Sequence, residues 1–463
     1  MQNLKLFSQI LVVLVLIQIQ YIVAQPSEKY TDNWNDPLVQ ERINSGIRQN
    51  RMGEFTIQFK NAEGNPINNV KVEINQATHD FYFGANGFMV NGFKDAKENA
   101  LFEKYFTQIF NFVTIPFYWP ELEPEPGKLR FGKDSEYIYR RPAPDVVLEF
   151  CKKNNLTPKG HTLVWDNPRW SLPTWLPQDE LIMEQKISKR IDEIAERYGH
   201  DIQIWDVANE VTDMNPDIIM PKDYTFKAFK ESERVFPNSN LLTLNFTTGI
   251  WHRSNRREYS SDYLLTQNML LRNSKVDAIG MQFHNFNENE YWKIVDGEVY
   301  SPNSLFQTLD LYADFNLPIH ITEITVAALS EKGPEYQAAM TENYYKLWFS
   351  HPMVEAIIWW NLVDETAAPG RVKPDGTIVP GEDKWKGGLL NRDFTKKPAF
   401  EVLDRLINKE WKTSLATSTD KGVIEYNGFY GSYKLEIQTG GKTYEKMVNF
   451  PKKGARNQVI VLD

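Results

Sequence analysis

Eight short apolar runs, alternating with helix-spaced stretches, predict a closed (β/α)8 barrel for this chain. The runs are 81–84, 112–116, 159–165, 202–207, 241–245, 278–283, 319–323 and 357–362. Between most of them lies helical spacing, such as Leu181, Ile182 and Met183 followed by Ile187, Ile191, Ile194 and Ala195. An open doubly wound sheet is the alternative fold. It would want a glycine-rich phosphate loop after its first strand, and none appears.

Taken in order, residues 1–24 read as a secretory signal, with Lys5, an apolar core over 10–17 and Ala24 before Gln25. That core is too short for a convincing membrane span, and a retained anchor is the alternative. The expected location is therefore extracellular. Residues 25–79 form an N-terminal segment in which Phe55-Thr56-Ile57-Gln58-Phe59 and Val70-Lys71-Val72-Glu73-Ile74 alternate around a turn at 61–65. That pattern predicts a β-hairpin. The barrel is expected over 80–410, a polar linker over 411–421 and a small β module over 422–463. Within that module Tyr426, Phe429 and Tyr430 could hold a sugar, but a structural cap on the barrel is the expectation.

Composition narrows the partners. The net charge of −9, with no basic run, argues against a nucleic-acid partner. An aromatic share of 13% supplies faces that can stack on sugar rings, though a large core uses them as well. Cys151 is the only cysteine, which excludes an intrachain disulfide, and its helical context predicts a buried thiol. Asn155 and Asn245 begin Asn-x-Ser/Thr sequons; Asn155 sits in a polar turn, whereas Asn245 ends an apolar run and is expected inside the site.

The chemistry is carried by two glutamates. Trp205-Asp206-Val207-Ala208-Asn209-Glu210 delivers an Asn-Glu pair at a strand end, and Ile319-His320-Ile321-Thr322-Glu323 closes on a second carboxylate. A glycosidase needs such a pair, one to protonate the leaving oxygen and one to attack the sugar carbon. Glu210 is the candidate acid/base, with a pKa to be raised by burial and nearby charge. Glu323 is the candidate nucleophile, held by His284 or Gln282. His161, Trp165, Asn209, Asn245 and Trp360 also fall at strand ends and are the candidate sugar contacts. Taken singly, each has a plainer reading as a cap, core or surface residue. No His-x-His or His-Glu-x-x-His spacing supports a metal site and no Gly-x-Ser-x-Gly elbow supports a hydrolase serine; neither a metal nor an organic cofactor is expected.

Gly160-His161-Thr162-Leu163-Val164-Trp165, the Trp205–Glu210 stretch, Gly280-Met281-Gln282-Phe283-His284, Ile321-Thr322-Glu323 and the 360–364 segment together resemble glycoside hydrolase family 10, the retaining endo-β-1,4-xylanases. Gly388-Leu389-Leu390 with Lys397-Pro398-Ala399-Phe400 is similar to the family's closing motif. The resemblance implies Glu210 as acid/base, Glu323 as nucleophile, and a sugar site lined by His161, Trp165, Asn209, Gln282, His284 and Trp360. It implies carboxyls about 5–5.5 Å apart. The chain departs from the pattern at Thr114-Ile115-Pro116-Phe117-Tyr118-Trp119, where the family has Glu-Asn-x-Met-Lys-Trp. Asp166 replaces a frequent His, Thr325 an Asp that often supports the His–nucleophile pair, and Ala367-Ala368 a second Trp. The expectation is a secreted, monomeric hydrolase of internal β-1,4 linkages of xylan. The alternatives are another β-glycan or decorated oligosaccharide as substrate, or a non-catalytic carbohydrate-binding barrel.

Overall fold

The computed structural model describes residues 26–213, 218–372 and 378–462. The signal reading over 1–24 lies outside them.

Two strands, β1 (Met52–Lys60) and β2 (Val70–His79), precede the barrel. The barrel strands are β3 (Tyr82–Asn86), β4 (Phe112–Pro116), β5 (Thr157–Trp165), β6 (Ile204–Asn209), β7 (Leu241–Phe246), β8 (Ala278–His284), β9 (Ile319–Thr325) and β10 (Val354–Trp359). They close in the order β10-β3-β4-β5-β6-β7-β8-β9, all parallel. The eight expected runs are these eight strands, with shifted ends. β6 continues through Asn209, two residues beyond the run, and β10 ends before Trp360. There the apolar run outlasts the strand because Trp360, Leu362 and Val363 are buried as loop residues.

Helices wrap the barrel where the spacing placed them. In the helix Glu180–Tyr198, Met183, Ile187, Ile191 and Ile194 face inward, and Asp179 caps the start by accepting from the Ile182 amide at 3.0 Å. Buried Arg190 on the same face donates to the Leu163 and Thr162 carbonyls at 3.0 and 3.1 Å, fixing this helix against β5. Close packing on the outer face of the barrel also needs glycine. A Cβ on Gly160 would come within 2.2 Å of the buried Trp205 ring. Cys151 is buried in the helix Pro144–Asn154, and burial pushes its thiol up to about 12, so it is a core residue and no nucleophile.

The two N-terminal strands form as expected but do not pair with each other. β1 lies between β14 (Val423–Phe429) and β17 (Asn457–Val461), and β2 lies between β13 (Ser414–Thr419) and β15 (Gly431–Thr439), which in turn pairs with β16 (Lys442–Phe450). A minor ribbon pairs β11 (Arg371–Val372) with β12 (Ile378–Val379). The N-terminal segment and the C-terminal module are thus one two-sheet sandwich, with Phe55, Ile57 and Phe59 of β1 packed against Val72, Ile74, Leu435 and Phe450. The correction has a plain physical source. Alternation states which face of a strand is covered, not which strand lies beside it. The expected linker over 411–421 likewise contains β13, whose polar residues lie on a half-exposed edge. Tyr426 and Phe429 are buried, in keeping with a cap.

The sandwich sits on the end of the barrel where the strands begin. The Asp80 amide donates to the Tyr430 carbonyl at 3.0 Å, and Trp411 stacks on Phe349 at 4.2 Å and on Phe83 of β3 at 5.9 Å. The opposite end, where the strands finish, is left for a site. Among the described residues, no helix is long and apolar enough to cross a membrane.

Candidate active site

A cleft of about 480 Å³ opens at the C-terminal ends of the strands. It is lined by Glu210 and Glu323 and by His161, Trp165, Asn209, Gln282, His284 and Trp360, all expected from the sequence. Asn245 lies directly beneath, fully buried.

Strand register brings these side chains together. Asn209 pairs with Asn245 across β6 and β7, and Gln282 pairs with Glu323 across β8 and β9. Asn245 Nδ2 donates to Asn209 Oδ1 at 2.7 Å and to Glu323 Oε1 at 3.2 Å, while its own Oδ1 accepts from Thr322 at 2.6 Å. Gly280 makes room for that amide, because a Cβ there would stand 2.3 Å from Asn245 Oδ1. This asparagine cannot carry a glycan, whereas Asn155 is exposed in a left-handed turn.

Gln282 links the two carboxyls. Its Nε2 donates to Glu210 Oε1 and to Glu323 Oε1, each at 3.0 Å. The two N–H bonds of a planar amide diverge by about 120°, so two near-linear bonds of this length set the oxygens roughly 5 Å apart. Glu210 itself sits one residue past β6 with φ +57°, a left-handed conformation that costs an ordinary residue roughly 1–2 kcal/mol. Its amide is held by the Asn245 carbonyl at 2.8 Å.

The environments push the two carboxyls apart. Burial first, then the charge of Glu323 with smaller contributions from Asp213 and Asp166, raise Glu210 to about 8, against the opposing hydrogen bond from Gln282. Burial also acts to raise Glu323, but the hydrogen bond from His284 and the fields of His161 and His284 outweigh it and hold this carboxyl below its ordinary value. His284 Nε2 stands 3.0 Å from Glu323 Oε2, and its Nδ1 is 3.0 Å from the Thr325 hydroxyl. Thr325 therefore contacts the same histidine that the family's Asp supports. A carboxyl that binds its proton more tightly than usual, beside one that binds it less tightly and hydrogen-bonded to the same amide nitrogen, can deliver a proton and a nucleophile to the two sides of one bond.

Several site residues escaped the sequence reading. Asp206 orients His161, whose Nδ1 is 2.9 Å from Asp206 Oδ2, and Lys159 Nζ stands 2.8 Å from the same oxygen. The clue available was spacing: Lys159 and His161 lie two apart on β5, and Asp206 is His161's partner on β6. Phe88, Tyr118, Arg140, Arg141 and Trp170 also line the cleft. Tyr118, at the position of the family's Lys, packs its ring 5.5 Å from His161. Trp170 has Arg169 stacked on it at 3.9 Å, and Arg169 donates to the Pro369 carbonyl at 3.3 Å, so this tryptophan stands beside the Ala367-Ala368 loop.

The sequence pattern of glycosyl hydrolase family 10 matches residues 75–405. Anti-sigma-I factor RsgI6 of Acetivibrio thermocellus is 27% identical over 414 residues, which is 87% of this chain and 47% of that protein. Endo-1,4-beta-xylanase B of Paenibacillus barcinonensis is 26% identical over 208 residues, 42% of this chain and 57% of that protein. The chain spans about half the length of these two relatives. Xylanase 10B from Thermotoga petrophila RKU-1, solved in complex with xylobiose, has the same barrel fold, with a TM-score of 0.54 over 72% of this chain and 95% of that one at 20% identity. With its closed eight-stranded barrel and a family match over most of its length, the chain belongs to glycosyl hydrolase family 10.

Proposed function

We propose that this protein cleaves internal β-1,4 linkages of xylan with retention of configuration, Glu210 serving as acid/base and Glu323 as nucleophile. The observation that carries the reading is the pair of carboxyls bridged by Gln282, one pushed up to about 8 and the other held down. In the first step a Glu323 oxygen bonds to the anomeric carbon as the bond to the leaving oxygen breaks, and Glu210 gives that oxygen its proton. In the second, Glu210 takes a proton from water, the water oxygen bonds to the anomeric carbon, and the Glu323 ester breaks. Asn209, His161 and His284 offer polar contacts to the sugar, and Trp165 and Trp360 offer aromatic walls. Xylan as substrate is supported by the names of the xylanase relatives. Export is supported by the apolar stretch before Gln25, and N-terminal sequencing of the mature protein should begin there.

Initial rates on xylan, mixed-linkage β-glucan and mannan test the substrate. Fastest release from xylan is expected, and no release from any xylan would sink this reading. A second reading is a barrel that binds glycan without cleaving it; the relative similar across 87% of the chain carries the name of an anti-sigma-I factor rather than of a hydrolase. Saturable oligosaccharide binding by a protein that releases no reducing ends would establish it instead.

A further inference from the structure

The cleft wall after β4 carries two arginines that the reaction centre does not use. Arg140 and Arg141 precede the helix Pro144–Asn154, line the cleft, and are only 3% and 8% exposed. Arg140 is anchored, its Nη1 donating to Asn361 Oδ1 at 2.6 Å and to the Thr366 carbonyl at 2.5 Å. Arg141 lies over the Tyr118 ring at 3.7 Å, and its Nη1 donates to the Arg140 carbonyl at 3.0 Å. In each guanidinium the buried Nε has no hydrogen-bond partner.

The nearest carboxylates do not take up these donors. Glu382 Oε2 is 3.9 Å from Arg140 Nη2, and Glu121 Oε2 is 3.8 Å from Arg141 Nε, both beyond hydrogen-bond reach. Glu382 Oε2 accepts instead from Trp360 Nε1 and the Ala368 amide, each at 3.2 Å. A buried donor without an acceptor is costly, and such groups in a cleft mark where a ligand supplies the acceptor. Guanidinium forks match the planar, two-oxygen edge of a carboxylate. Glu121, Glu382 and Glu323 already offset the two guanidinium charges, so a singly charged carboxylate is opposed less than a doubly charged phosphate ester. Trp170, half-buried and 5.7 Å from the Arg141 guanidinium, supplies an aromatic surface for the sugar that carries it.

We propose that Arg140 and Arg141 form a subsite for the carboxylate of a uronic-acid branch on the glycan held at Glu210 and Glu323. The proposal rests on the sugar-cleft reading above and adds the class of substrate. Its test compares kcat/KM of the wild-type protein on a xylo-oligosaccharide bearing one glucuronic acid branch with the same compound after its carboxyl is reduced to the alcohol. A preference of about tenfold or more for the acidic form is expected, falling below about threefold in Arg141→Gln. Equal rates on the two forms, or equal losses on both in Arg141→Gln, overturn the subsite. Where that variant fails to fold, the wild-type comparison decides alone. If neither compound is cleaved, the hydrolase reading has failed, and calorimetric binding of the same two compounds to the wild type still decides the subsite. Tighter binding of the acid supports it, and equal or no binding overturns it.

Discussion

On the floor of the cleft Gln282 spends its amide nitrogen on both carboxyls, while on the wall after β4 Arg140 and Arg141 keep buried donors without acceptors. The floor is assembled from strand ends, so register fixes each oxygen and nitrogen before any sugar arrives. The wall is assembled from a loop packed on Tyr118 and Phe88, and part of its polar capacity is unspent. Bond breaking needs a fixed proton donor and a fixed anion, and those must be preorganised. Recognition can leave its hydrogen bonds to be completed by the ligand. The difference separates a geometry suited to breaking a glycosidic bond from one suited to selecting a glycan.

The largest effect expected from breaking the floor is that of Glu323→Ala, which should lower kcat by at least about 10,000-fold while oligosaccharide binding changes little. Unchanged turnover would remove Glu323 from the chemistry. Next comes Glu210→Ala, with a loss of about 100- to 10,000-fold on xylan. On an aryl β-glycoside whose phenol leaves without a proton, the loss should be about tenfold or more smaller. Equal losses on both substrates would mean that Glu210 is not the proton donor. In the wild type, kcat/KM should fall above a pH of about 8, where Glu210 gives up its proton. It should also fall on the acid side, below the ordinary carboxylate range, where Glu323 gains one. A basic limb lying near pH 5 would contradict the raised Glu210.

Stability gives a smaller effect with a definite sign. The folded protein holds the Glu210 proton more tightly than the unfolded chain does. Stability from this group is therefore full below its unfolded value of 4.5 and is lost progressively as pH rises to about 8. Glu210→Gln removes that loss, so its gain in Tm over the wild type should grow from pH 4.5 to 8 and level off above. A gain that does not change with pH would show packing rather than ionisation at work. Smallest at the cleft is the effect of a change at the far end of the barrel. Ile57→Ala, in the sandwich core, should cost about 2–4 kcal/mol in denaturant unfolding and leave kcat/KM unchanged at 25 °C. A matching fall in kcat/KM would couple the sandwich to the floor.

The same contrast explains what the sequence disclosed. Glu210 and Glu323 were legible because each polar residue closes a run of buried ones, and such a run must be a strand whose end meets solvent. Asp206 and Lys159 were hidden within those runs, fully buried, their roles set by a neighbouring strand. Arg140 and Arg141 belong to a stretch with no periodicity, and only folding brings them onto Tyr118. In the sandwich, β1 and β2 were readable as strands, yet their partners are far along the chain, and alternation holds no record of a partner.

Trapping the glycosyl-enzyme tests the central claim most directly. The wild-type protein would be incubated with a 2-deoxy-2-fluoro-β-xylobioside carrying a good leaving group, then digested and analysed by mass spectrometry. The predicted result is one covalent sugar on the peptide that contains Glu323, formed as the leaving group departs. Rapid release of the leaving group with no adduct, or an adduct on another carboxyl, would contradict the account.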